Sequence, residues 1–213
     1  MEKGMEKRID EDLLAEVKER GGIRYRLWEP ASPLVILGRS SHPEDEVFSE
    51  NCAKDGIPVL KRMGGGKSVL LSSGMLIVSL ALETIHFRGH LFYAEAINRI
   101  VEKTLTSCGA GNINGRGISD LAWGDQKILG CCLYLSRRRD LWIVFYQASL
   151  LFHPDLSLVT RYLKHPPWEP DYRKGRPHEE FLTTLWAQGH RLKIMQVASR
   201  LALAFDENLP GLR

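Results

Sequence analysis

Apolar residues recur at helical spacing in three long stretches of the chain. They repeat every three to four positions over residues 9–20, 91–108 and 190–205. This period predicts amphipathic helices, and the glycines Gly21 and Gly109 mark the ends of the first two. The same pattern, more weakly expressed, predicts shorter helices over residues 45–54, 155–163 and 178–186.

Short apolar or alternating runs between these stretches predict β-strands. They cover residues 23–28, 34–37, 57–61, 119–123, 127–136 and 141–152, with extended chain also approaching residue 82. Gly124-Asp125 and the polar run 137–140 predict the turns between the later strands. Because strands and helices mix without strict alternation, the pattern predicts an α+β fold. We expect a mixed central β-sheet flanked by helices, in a single domain over residues 1–213.

Composition narrows the class of protein. The chain has 213 residues, of which 44% are hydrophobic and 26% charged, as in globular domains. The net charge is +3 and the one dense basic run, Arg137-Arg138-Arg139, fits a solvated hairpin tip, so we expect no nucleic-acid partner. No apolar stretch approaches the roughly 20 residues of a membrane span. The charged N-terminus also lacks the apolar segment of a secretion signal.

The cysteines indicate a reducing compartment. Their spacing matches neither a disulfide framework nor a tetrahedral zinc site. We therefore expect reduced thiols and a cytoplasmic protein. The four cysteines are Cys52, Cys108, Cys131 and Cys132.

The most informative segment is a glycine-rich loop over residues 61–68, Lys-Arg-Met-Gly-Gly-Gly-Lys-Ser. A nucleotide-triphosphatase phosphate loop is excluded, because that pattern needs glycine where Lys61 stands and a helix where residues 69–71 are extended. Three consecutive glycines let the backbone lie against a ligand and offer N–H groups to an anion. Arg62 adds a permanent cation. A glycine-rich turn with a solvent-exposed arginine remains an equal interpretation of the loop alone.

Three segments, in order, resemble the lipoate–protein ligases of the biotin/lipoate A/B protein ligase superfamily. Residues 62–66, Arg-Met-Gly-Gly-Gly, resemble that family's R-x-S-G-G-G loop. Residues 27–39 resemble its L-R-L-W and V-V-L-G-R segments, and residues 117–130 resemble G-R-N-D-L-V-V followed by G-x-K-I-S-G. The resemblance spans roughly residues 10–185. It implies the catalytic domain of these ligases, in a short form lacking the C-terminal accessory domain.

The resemblance also implies a chemistry and its residues. Family members activate lipoate or octanoate with ATP and Mg²⁺ to an acyl-adenylate. They then pass the acyl group to a lysine of a lipoyl acceptor domain, such as a 2-oxoacid dehydrogenase subunit or glycine-cleavage H protein. Lys127 would be the catalytic cation that stabilises charge on the reacting oxygens. Without the motif, a surface lysine would be the ordinary interpretation. The implied binding residues are Arg62, Gly64, Gly65, Gly66, Lys67, Ser68, Asp120 and Gly130, with Asp120 also a candidate magnesium ligand.

The chain departs from the family pattern at three places. Met63 replaces the serine of the glycine loop, and residues 70–74 lack a His-Asp-x-Gly-Asn segment. Residues 146–150, Tyr-Gln-Ala-Ser-Leu, stand in place of His-His-Gly-Thr-Leu. These departures leave the acyl group open. The short form leaves open a separate accessory ligase chain for adenylation.

Other functions remain compatible with the sequence. An octanoyl or lipoyl transferase of the same superfamily would use Cys131 or Cys132 as nucleophile instead of ATP. Neighbouring strand residues point to opposite faces, so we expect only one of these cysteines to line the pocket. A biotin–protein ligase and a non-catalytic binder of acyl groups or lipoyl domains are further alternatives. The irregular loop 164–177 is either a lid that excludes water or a packed connection.

Overall fold

Within residues 8–213, nine strands form two sheets. The computed structural model describes residues 8–213. The expectation about a secretion signal therefore falls largely on residues outside the described part. The strands are β1 (Ile23–Trp28), β2 (Leu34–Leu37), β3 (Val59–Lys61), β4 (Val69–Leu71), β5 (Met75–Thr84), β6 (Ile113–Arg116), β7 (Asp120–Trp123), β8 (Gln126–Arg138) and β9 (Leu141–Leu151).

The larger sheet has six strands in the order β1-β5-β9-β8-β7-β6, and all its neighbours pair antiparallel. The smaller sheet has the order β3-β2-β4, with β2 parallel to β3 and antiparallel to β4. The α+β class and the flanking helices are confirmed. The mixed pairing, however, lies in the small sheet and not in the central one.

Helices cover the large sheet on both faces. They are α1 (Glu11–Arg20), α2 (Pro43–Glu46), α3 (Ser49–Asp55), α4 (His90–Ser107), α5 (Ser157–Tyr162), α6 (His178–Phe181) and α7 (Ile194–Asn208). The apolar stripes of α4 and α7 pack with the main core on one face, and α1 packs on the other. Consequently β5 is buried along its whole length. None of the helices in residues 8–213 is long and apolar enough to cross a membrane.

Two predicted helices were wrong because tertiary hydrogen bonds replace the helical ones. The helix over residues 45–54 divides into α2 and α3, since Val47 bridges to Leu163 and the Phe48 N–H donates to the Tyr162 carbonyl. The helix over residues 178–186 ends at Phe181. Beyond it, the N–H of Thr183 donates to the carbonyl of Lys127.

Two further differences concern the edges of elements. The last long helix begins at Ile194, four residues after the expected start at position 190. The edge strand β6 was not expected, because its sequence Ile-Asn-Gly-Arg carries a single apolar residue. Antiparallel pairing with β7 makes it a strand nevertheless.

Candidate active site

A cleft of about 740 Å³ lies between the large sheet and the small sheet with its glycine loop. This volume suits a small-molecule site. The segment after α5, residues 164–182, forms a further wall. Part of the lining is an apolar cluster, which provides space for an alkyl chain. Its buried members are Ile36, Leu71, Met75, Ile77 and Leu151.

A β-bulge turns Lys127 toward this cleft. Asp120 pairs with Gly130 and Ala122 with Lys127, and the register shifts between Leu121 and Ala122. Residues three apart on a regular strand face opposite sides, but the extra residue places Lys127 on the same side as Gly130. The Lys127 side chain folds over Gly130, where a Cβ atom would lie 2.5 Å from Nζ. Lys127 and Gly130, both predicted site residues, therefore lie in contact, because position 130 carries no side chain that would displace the lysine.

Asp120 contacts both Lys127 and Tyr172, which belongs to the segment after α5. The Lys127 Nζ lies 2.9 Å from Asp120 Oδ1, and the Tyr172 hydroxyl donates to Oδ2 at 2.7 Å. Burial, followed by the charge of Asp120, raises the pKa of Tyr172, so its hydroxyl remains a proton donor. Within residues 8–213 no group of three or more His, Cys, Asp or Glu side chains could hold a metal ion. The Asp120 carboxylate contacts Lys127 and Tyr172, and its role as a magnesium ligand stays a prediction.

Each glycine of the loop has its own steric environment. A Cβ on Gly64 would lie 2.6 Å from Cys132 Sγ, so Gly64 allows the loop to contact β8. Gly65 has nothing within 4 Å of a Cβ position and lines the cleft. Gly66 has φ +85°, which favours glycine, and its carbonyl oxygen would lie 1.9 Å from a Cβ on Gly38. The loop is therefore fixed at both ends and open at its centre.

Arg62 holds this loop from beneath. The side chain is buried, and its guanidinium donates to the carbonyl oxygens of Gly65 at 2.7 Å, Lys67 at 2.8 Å and Ile36 at 3.3 Å. The family resemblance implies that Arg62 lies beside a phosphate or carboxylate of the substrates. In the structure its donors are directed to the backbone, so it shapes the loop that borders the cleft.

A buried carboxylate that sequence reasoning missed binds the end of the loop. Glu46 is 3% exposed and accepts the N–H of Ser68 at 2.6 Å and its hydroxyl at 2.7 Å. The Lys67 Nζ lies 3.3 Å from its other oxygen. Burial opposes ionisation of Glu46, but hydrogen bonds from Ser68, Ser41 and Lys67 outweigh it and lower its pKa. Lys67 and Ser68, both predicted to bind a ligand, here bind an internal carboxylate.

Both candidate nucleophiles border the cleft, contrary to the expectation that only one could. Cys131 and Cys132 are both among the residues that line the cleft. Cys132 contacts the glycine loop, whereas Cys131 packs against the main core. Burial, followed by the neighbouring Cys132 and Asp120, raises the pKa of Cys131 to about 12. A thiol with such a pKa is a poor nucleophile near neutral pH.

The segment after α5 is held by several polar contacts. The Lys164 N–H donates to the carbonyl of Glu46 at 2.9 Å, which connects the base of the segment to α2. Arg173 is buried and lies 3.3 Å from the Glu169 carboxylate. The Gly175 N–H donates to the same carboxylate at 2.6 Å. The segment is an ordered wall of the cleft, and we call residues 164–177 the lid.

Comparison with known proteins defines the class to which this fold and cleft belong. The model of the family described as "Lipoyl protein ligase A/B catalytic domain" matches residues 5–206. The chain belongs to this family.

Its relatives include lipoate ligases of bacteria and archaea. The "Probable lipoate-protein ligase A" of Mycoplasma pneumoniae is 29% identical over 157 residues, covering 73% of this chain and 44% of the relative. The "Lipoate-protein ligase A subunit 1" of Thermoplasma acidophilum is 27% identical over 141 residues, covering 62% of this chain and 52% of the relative. The chain thus spans about half the length of these relatives.

Solved structures share the fold. A bi-partite lipoate protein ligase of Thermoplasma acidophilum, studied with its E2 lipoyl domain, superposes with a TM-score of 0.77. It is 20% identical and covers 92% of this chain and 76% of that one. A lipoate-protein ligase A bound with ATP gives a TM-score of 0.73 at 20% identity, covering 92% of this chain and 77% of that one. These likenesses establish the architecture of the catalytic domain.

Proposed function

We propose that this chain activates lipoate or octanoate with ATP to an acyl-adenylate and transfers the acyl group to a lysine of a lipoyl acceptor domain. The observation that carries the proposal is the position of Lys127. Its ammonium lies over Gly130 in a cleft that offers an apolar wall and the open Gly65 backbone. Membership of the ligase family supports the same reaction. The four cysteines are free, which suits the reducing cytoplasm.

The cleft can supply the two parts of the reaction. The apolar cluster at Met75, Ile77 and Leu151 would hold the alkyl chain, since burying apolar surface is favourable. A carboxylate oxygen of the acid then attacks the α-phosphorus of ATP and pyrophosphate leaves, with magnesium arriving on the ATP phosphates. The Lys127 ammonium would stabilise the charge on the phosphate and carbonyl oxygens. In the second step a neutral acceptor amine would attack the acyl carbonyl, the bond between the acyl carbon and the phosphate oxygen would break so that AMP leaves, and the proton of the amine would pass to solvent.

The glycine loop and lid would keep this intermediate in place. The backbone N–H groups near Gly65 and Gly66 would face the phosphate, while Arg62 holds their conformation from below. The lid would exclude water, because an acyl-adenylate that meets water is hydrolysed. These roles require no side chain beyond those already lining the cleft.

The acceptor follows from the same proposal. One structural neighbour was studied with an E2 lipoyl domain and is described as bi-partite. By analogy, a lipoyl domain of a 2-oxoacid dehydrogenase subunit or a glycine-cleavage H protein would present its lysine at the cleft. A separate accessory ligase chain is a second proposed partner.

The test is the mass of a purified lipoyl domain after incubation with this chain, Mg-ATP and lipoate or octanoate. The proposal predicts one added acyl group, dependent on ATP. Acylation from chemically prepared acyl-adenylate alone would show that an accessory chain is needed for activation. Acylation from an octanoyl thioester, without ATP, would support the cysteine transferase instead. No acylation under any condition would favour a non-catalytic binder.

A further inference from the structure

The lid carries a tyrosine that reaches the centre of the candidate site. Tyr172 lies in a short 3₁₀ turn, Asp171–Arg173, and its hydroxyl donates to Asp120 Oδ2 at 2.7 Å. The other oxygen of the same carboxylate holds Lys127 at 2.9 Å. One buried carboxylate is therefore shared between the lid and the proposed catalytic cation.

The position of the Tyr172 ring is fixed by contacts on several sides. Gly117 has φ +57°, and a Cβ there would lie 3.4 Å from the ring. The ring of Phe181 stands 5.1 Å away, centroid to centroid. Arg176 Nη2 donates to the Tyr172 carbonyl at 2.9 Å. The hydroxyl reaches Asp120 because the lid packs in this conformation.

We propose that Tyr172 is a positioning residue that makes the availability of Lys127 depend on closure of the lid; this inference rests on the proposed function. A hydrogen bond donated to a carboxylate takes up part of its negative charge. With the lid closed, Asp120 holds Lys127 less strongly, and the ammonium can turn to the substrate oxygens. With the lid displaced, Asp120 loses the hydrogen bond from Tyr172 and binds the Lys127 ammonium more strongly. Adenylation of the acid substrate would then occur only while the lid is closed and excludes water.

The experiment compares Tyr172→Phe with a matched control elsewhere in the chain. Tyr162 also donates its hydroxyl to an aspartate, Asp55 at 2.8 Å, which is bound in turn by Arg161 at 2.7 Å. Neither Tyr162 nor Asp55 lines the cleft. We expect Tyr172→Phe to lower kcat for acid-dependent pyrophosphate release about tenfold, with KM for both substrates changed by less than about twofold. Tyr162→Phe should behave as the wild type. Equal activity of all three proteins would overturn the inference.

A double-mutant cycle tests whether the Tyr172 hydroxyl acts through the Asp120 carboxylate. In an Asp120→Asn background, Tyr172→Phe should have less than about a twofold further effect, because the hydroxyl acts through the carboxylate. An undiminished tenfold effect in that background would show that the Tyr172 hydroxyl acts independently of the Asp120 carboxylate, and the inference would be overturned.

A second readout does not depend on ligase activity. An ammonium held by a carboxylate is less accessible to acylating reagents than one that is free to turn away from it. We expect Lys127 to be labelled several-fold more slowly in Tyr172→Phe than in Tyr162→Phe, measured by peptide mass spectrometry. Equal labelling rates would contradict the inference, even for a chain that releases no pyrophosphate. Absence of pyrophosphate release from the wild type would instead count against the proposed function.

Discussion

The Lys127 side chain occupies the space in which a side chain at Gly130 would begin. A Cβ atom at position 130 would lie 2.5 Å from both Cε and Nζ of Lys127. Because the clash is with the end of a flexible side chain, the fold can tolerate a substitution only if the ammonium moves. Gly130 therefore determines where the charge of Lys127 lies, in addition to any contact that it makes with a ligand.

Gly130→Ala is expected to separate activity from stability. The methyl group displaces the ammonium, so kcat for acyl transfer should fall at least about tenfold, while the melting temperature changes by only a few degrees. Gly115→Ala is the matched control, since it also lies on a strand and a Cβ there meets nothing within 4 Å. Full activity of Gly130→Ala would show that the position of Lys127 over this residue is not required.

Arg62→Lys tests whether Arg62 shapes the loop. A lysine cannot reproduce donation to three backbone carbonyls, so buried acceptors would lose their partners. We expect the free energy of unfolding to fall by about 2–3 kcal/mol in urea titrations. Arg39→Lys, at an exposed neighbouring position, should leave it unchanged. Unaltered stability together with a large rise in KM for ATP would return Arg62 to the role of a phosphate ligand.

Glu46 should make stability depend on pH. Its pKa is lowered from the ordinary 4.5, so the unfolded chain binds a proton more readily as the pH falls. The stabilisation is therefore fully present above pH 4.5 and is lost as the pH falls through the lower folded-state pKa. We expect Glu46→Gln to lower the free energy of unfolding by about 2 kcal/mol at pH 7. This difference from the wild type should shrink below pH 4.5. Chemical denaturation across this range measures it.

A control for this pH effect lies on the same helix. Glu44 has a side chain that is 73% exposed, so Glu44→Gln should show a far smaller difference at pH 7. A difference between the wild type and Glu46→Gln that stays constant from pH 7 to pH 3 would contradict the described ion pair and hydrogen bonds.

The cysteines distinguish the ligase from a thioester-forming transferase. If adenylation is the reaction, Cys131→Ala and Cys132→Ala should each retain acyl transfer within about threefold. Cys52→Ala, buried away from the cleft, controls for loss of packing. Loss of more than about a hundredfold in one cleft variant, with the fold retained, would support a nucleophilic cysteine. Circular dichroism of each variant confirms the fold.

Local patterns were sufficient for elements whose contacts follow their own periodicity. The stretch 91–108 predicted α4 to within one residue at each end, because one apolar stripe meets the main core. The motif around Asp120, Lys127 and Gly130 predicted residues that the bulge does bring together. The α+β class followed from the mixture of strand and helix patterns. Whether these residues act on a substrate remains a prediction.

The sequence could not predict relationships that depend on distant segments. Glu46 lies in an acidic helical turn, a pattern that predicts a solvent-exposed residue. In the structure it is buried against the glycine loop, where it binds Ser68, 22 positions later in the chain. Tyr172 meets Asp120 across 52 positions, and no local pattern indicates that pairing. The two wrong helix predictions have the same physical cause. Backbone groups near Val47 and Thr183 form hydrogen bonds with distant segments instead of helical ones. Propensity is a weak predictor where tertiary partners compete.

The most direct test of the central claim is pyrophosphate release from Mg-ATP by the purified chain, with lipoate or octanoate added. The account predicts release that requires the acid and is lost in Lys127→Ala, while Lys18→Ala on the exposed face of α1 behaves as the wild type. The melting temperature of Lys127→Ala should confirm that it folds. Acid-dependent release at the wild-type rate from Lys127→Ala would contradict the account.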